Sequence, residues 1–141
     1  MVDYDNANAR LSSLAIFMGG LSFVGLIFSI NVMTGRPREL TTPLLVAESL
    51  NVLFLLTAIV VFLTSAVTLA SAYFESGVTK EVGMRRARRL NVSGTMLTFW
   101  AISALLLVAF EFTPQGIFYA IAAILAPLVF LVARQVQRVS L

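Results

Sequence analysis

No cysteine and no histidine occur among the 141 residues of this chain. The first absence excludes disulfides, disulfide exchange and thiolate nucleophiles, and with the second it excludes zinc sites of the usual kind. Lack of histidine also removes haem ligation by imidazole and the side chain that most often changes charge near neutral pH. Charge is scarce as well: Asp, Glu, Lys and Arg make up 12% of the chain, where a soluble domain of this size carries about 25%.

What is present is apolar. Hydrophobic residues form 59% of the sequence, with mean hydropathy +0.93. They come in runs of about twenty, the length that crosses a bilayer. The expected fold class is an all-α integral membrane protein: one domain, residues 1–141, with four transmembrane helices in an antiparallel bundle. The spans are expected at about 11–33, 44–74, 92–112 and 117–133, with a basic cytoplasmic loop at about 75–91. The first span is about 35 Å long and the second about 46 Å, so the second must tilt or protrude from a core of roughly 30 Å. Strands are excluded because open strands leave their backbone unsatisfied in lipid.

Local punctuation fits this division. Thr42 can cap the second helix with Pro43 in its first position, where no amide hydrogen is needed. The stretch TPQG, residues 113–116, reads as a tight turn between antiparallel neighbours. Pro127 falls inside the fourth helix, where it is expected to kink the helix and free the carbonyl of Ala123. The N-terminus MVDYDNANAR does not read as a signal peptide, because it is acidic before Arg10 and is followed by too long an apolar run.

The positive charge is unevenly placed. The segment KEVGMRRARRLN holds Lys80, Arg85, Arg86, Arg88 and Arg89. With the two termini on the same side, Arg10, Arg134 and Arg138 join them, against Arg36 and Arg38 opposite. Lys and Arg accumulate on the cytoplasmic side of short loops. The expected topology is N-in and C-in in the cytoplasmic membrane, with Arg85, Arg86, Arg88 and Arg89 fixing orientation and meeting anionic lipid headgroups. A nucleic-acid role does not follow, since the cluster has no interleaved aromatics and matches no binding fold.

Polar residues inside the spans form stripes. Ser12, Ala15, Gly19, Ser22 and Ser29, with Asn8, share one face of the first helix. They serve either close helix packing or the lining of a water-filled path. Thr57, Thr64, Thr68, Ser71 and Glu75 align along the second helix and read as a packing seam. Gly116, Ala120, Ala123, Pro127 and Arg134 align along the fourth, opening with a small-xxx-small pattern. Trp100 reads as core.

Two carboxylates, Glu48 and Glu111, lie near the outer side in this topology, and Asn51 follows Glu48 on its own face. Acids in a span are functional candidates by default. Either each is paired locally, Glu48 with Arg36 or Arg38, or Glu48, Asn51 and Glu111 form a cation-attracting vestibule. No nucleophile with a base, no paired acids and no metal cluster is seen, so no enzyme, no cofactor and no resident metal is expected. The function expected is a subunit of a homo-oligomeric, cation-preferring pore or channel. The alternative is a non-catalytic accessory or assembly subunit bound to other membrane subunits.

Overall fold

The computed structural model describes residues 4–35 and 41–139. It is all-helical: α1 (Tyr4–Thr34), α2 (Thr42–Tyr73), α3 (Gly77–Ala109) and α4 (Pro114–Val139). Each helix is long and apolar enough to cross a membrane. Arg36 and Arg38, counted on the sparsely charged side, lie outside the described residues, as does the side chain of Arg138.

One boundary differs greatly from expectation. The segment 75–91 is not a loop: α3 begins at Gly77 and runs unbroken for 33 residues. The cause is local chemistry. Lys, Glu, Met, Arg, Ala and Leu are good helix formers, no proline interrupts them, and Glu81 pairs with Arg85 one turn on. Hydropathy reports which solvent a helix meets, and it falls at the arginines although the backbone does not change. The α2–α3 connection is three residues, Phe74–Ser76. Gly77 takes a φ of 66° as it enters α3, a value open to glycine without strain.

The α3–α4 connection also shifts. Residues 113–116 are not the turn but the start of α4: Thr113 Oγ1 accepts from the Gly116 amide at 3.3 Å, with Pro114 as the first helical residue. The reversal is made by Glu111 and Phe112, both left-handed at φ 52° and 58°. Pro127 sits buried within the unbroken α4.

The chain forms two compact units. One comprises Met1–Phe28 with Leu55–Thr98, and the other Ser29–Phe54 with Phe99–Leu141. In the first unit, Ala15, Ala58 and Phe62 make one apolar cluster, and Leu69, Ala72, Met84 and Ala87 make another, with Ala7 and Leu11 packed on it. In the second unit, Gly116, Ala120 and Pro127 face inward on α4. There the Ser103 hydroxyl donates to the carbonyl of Ala120 at 2.8 Å. Trp100 is not core: it is 40% exposed and meets Phe54 edge-on at 5.9 Å.

Candidate functional site

The stripe of α1 faces inward. Ala15 and Ser22 are 1% exposed and Ser29 is fully buried; Ser12 and Gly19 are half-buried. The hydroxyls of Ser22 and Thr98 meet at 3.1 Å. Whichever donates across, the other donates back to its own helix, at Met18 O (2.8 Å) or Gly94 O (2.9 Å). Ser12 donates to Asn8 Oδ1 at 3.2 Å, and Asn8 Nδ2 donates to the Leu69 carbonyl at 3.1 Å. These side chains therefore join helices of one chain. In lipid such bonds and close contacts replace the missing hydrophobic drive between helices.

The hub of this polar seam is Asn91, 2% exposed. Its amide Nδ2 donates to the Leu11 carbonyl of α1 at 3.2 Å. Its Oδ1 accepts from Ser65 of α2 at 2.6 Å. One side chain of α3 thus ties both other helices of the unit. The one-dimensional pattern does not single out Asn91 or Ser65, because each has other polar residues beside it, Arg89 and Ser93 for Asn91 and Thr64 for Ser65, and polarity alone does not say which faces a neighbour.

The α2 hydroxyl row turns the other way. Thr57, Thr64 and Ser71 are exposed and Thr68 is half-buried. Thr64 donates to Val60 O and Thr68 to Thr64 O, both at 2.8 Å. The expected packing seam is formed instead by Leu55, Ala58, Phe62, Ser65, Leu69 and Ala72, all buried. A hydroxyl satisfied on its own backbone needs no neighbour, so polarity alone does not assign a face.

The three residues expected at the outer vestibule have different surroundings. Glu48 is half-buried, Glu111 is exposed in the left-handed turn, and Asn51 is buried. Asn51 Nδ2 donates to the Ala101 carbonyl at 2.7 Å, while its Oδ1 has no hydrogen-bond partner. Asn51→Leu should therefore change stability by less than about 1 kcal/mol, since the lost bond is offset by removing a buried orphan acceptor. Detergent-induced unfolding followed by circular dichroism checks this, and a loss above about 3 kcal/mol would reveal a partner for Oδ1. Close by, Val46, Ala47, Leu50, Ala104, Leu107 and Phe112 line an apolar groove of about 430 Å³. Among the described residues, no group of three or more metal-ligating side chains gathers.

The basic segment forms a helical head. Its inner face carries Met84 and Ala87 against Leu69 and Ala72. Lys80 pairs with Asp5 of α1 at 2.7 Å and lies 6.0 Å from the centre of the Tyr73 ring. Arg85, Arg86, Arg88 and Arg89 are all exposed, and Arg85 pairs with Glu81. At the tip, Tyr73, Phe74, Val78 and Val82 are exposed too, Phe74 by 88%. Comparison with protein-family models, curated proteins and solved structures finds no match to this chain.

Proposed function

We propose that this chain is a four-span, non-catalytic accessory or assembly subunit of a larger membrane complex, with both termini and the basic head in the cytosol. The observation that carries this reading is the inward direction of the α1 stripe. Residues that would line a path between subunits are spent on α2 and α3 of the same chain. The surface left for partners is apolar along the spans and basic with apolar residues at the head. Orientation follows from the excess of Lys and Arg at the head and termini. Arg88, exposed and about 80° round the helix from Val78, meets anionic headgroups of the cytoplasmic membrane.

A homo-oligomeric, cation-preferring pore is the second reading. It rests on the outward hydroxyls Thr57, Thr64 and Ser71 of α2. Native mass measurement after mild solubilisation separates the two. The accessory reading expects one copy of this chain in complex with other membrane proteins. A closed homo-oligomer that passes cations in liposomes, with flux lowered by Thr64→Leu, overturns it. Ser22→Leu is expected to unsettle the fold rather than alter a flux, because its site is filled.

A further inference from the structure

The outward face of the head is apolar where it stands farthest from the spans. At 100° per residue, Val78, Val82, Arg85, Arg86 and Arg89 fall within an arc of about 100° on α3. All are exposed, Val78 by 77% and Val82 by 58%. Tyr73, the last residue of α2, and Phe74, the first of the connection, meet edge-on at 5.5 Å, with Tyr73 on the Lys80 side of α3 rather than on this face. Going out along α3, the exposed side chains are therefore apolar at Val92, basic at Arg89, Arg86 and Arg85, and apolar again at Val82 and Val78.

Lipid does not account for the second apolar zone. Val78 stands fourteen residues from Val92, about 21 Å along the helix, and Val82 about 15 Å. The headgroup layer of one leaflet is only about 5–8 Å deep. With the hydrocarbon edge taken at Val92, where the apolar run of the sequence begins, even a tilt of about 40° leaves Val78 about 16 Å beyond it. Exposed apolar side chains in such a place mark a contact with another macromolecule. A second copy of this head is disfavoured, because it would set Arg85, Arg86 and Arg89 against their own kind.

We propose that this face docks an acidic amphipathic helix of a partner protein. Apolar residues of that helix cover Val78 and Val82, and its carboxylates meet Arg86 and Arg89. The inference deepens the accessory reading and rests on it: it names the chemistry of one partner and the surface that receives it. Arg86 and Arg89 are the cations open to this use, since Lys80 is held by Asp5 and Arg85 by Glu81.

The test uses the full chain in nanodiscs of phosphatidylcholine. The probe is a fluorescein-labelled amphipathic helix of Leu, Glu and Ala, and its control is a scrambled peptide of the same composition. Fluorescence anisotropy should show the amphipathic peptide binding at least about tenfold more tightly than the scrambled one. Val78→Ser with Val82→Ser should weaken it about tenfold, the scale expected for uncovering two partly buried valines. Arg86→Gln with Arg89→Gln should weaken it by at least as much. Circular dichroism is expected to be unchanged, because all four side chains point outward. Equal binding of both peptides, or indifference to the valine changes, reduces the face to plain electrostatics and overturns the proposal. So does displacement of the peptide by phosphatidylserine in the disc, which assigns the face to lipid, or self-association lost on Val78→Ser, which assigns it to a second copy. The native-mass and flux measurements judge the accessory reading on their own, so the two failures are distinguishable.

Discussion

Gly94→Leu is expected to abolish folding, and Gly94→Ala to lower stability by about 1–3 kcal/mol. A Cβ placed on Gly94 would lie 2.7, 2.8 and 3.0 Å from Cζ, Cε1 and Cε2 of Phe62. The ring cannot swing aside. Phe62 is 1% exposed, packed with Ala15, Ala58, Met18, Ala66 and Leu97. Its own Cβ is 3.3 Å from where a Cβ on Gly19 would stand. Phe62 of α2 is thus a wedge seated on glycines of α1 and α3. Transfer from water contributes little in lipid, so close contact carries the stability here. Phe62→Ala should cost about 2–3 kcal/mol, mostly the cavity left behind. Phe62→Leu should restore part of what Gly94→Ala loses, with a coupling of about 1 kcal/mol or more in a double-mutant cycle. Unfolding in mixed micelles, followed by far-ultraviolet circular dichroism, measures each value. Additive losses would show that the ring and Gly94 do not meet.

Asn91→Asp should be the most damaging near-isosteric change in the chain, costing about 3–5 kcal/mol, the scale of a buried charge without a partner. The Ser65 hydroxyl can still donate to one carboxylate oxygen. The other oxygen takes the place of Nδ2, which now donates to the Leu11 carbonyl. Two acceptors would then face each other in a site only 2% exposed. Asn91→Leu should cost less, about 1–2 kcal/mol, since it removes interhelical bonds without adding charge, and Ser65 retains the Ala87 carbonyl at 3.2 Å. The same unfolding assay ranks the pair. An Asp variant as stable as the Leu variant would show that water reaches the site.

Much of the architecture was legible in the sequence, for a physical reason. Twenty-residue apolar runs admit few structures in lipid, so four long helices follow from composition and length. The inward line of Gly116, Ala120 and Pro127 was legible too, because small residues repeat at helical spacing. The head was not. Arg85 to Arg89 ended an apolar window without ending a helix; the signals of continuity were the proline-free run of helix formers and the i,i+4 pair Glu81–Arg85. Residue type also failed to separate the faces of α1 and α2. Ser22 faces in and Thr64 faces out, yet both donate a hydrogen bond to a carbonyl one turn back. The seam is set by what stands opposite, Thr98 for Ser22, and that is a property of pairing rather than of either strip. The span expected at about 92–112 put Glu111 on the helix. The helix stops at Ala109, and the left-handed turn re-aims the carboxylate.

The unbroken run of α3 through Leu90 and Asn91 has one more result, in angular phase. Head and span turn on a common screw, so a single residue inserted between Arg89 and Asn91 would rotate Val78 and Val82 by about 100° about the helix axis relative to Asn91. Met84 and Ala87 would leave Leu69 and Ala72 at the same stroke. Steps of about seven residues restore the phase, but each carries Met84 and Ala87 about 10 Å along the axis from Leu69 and Ala72.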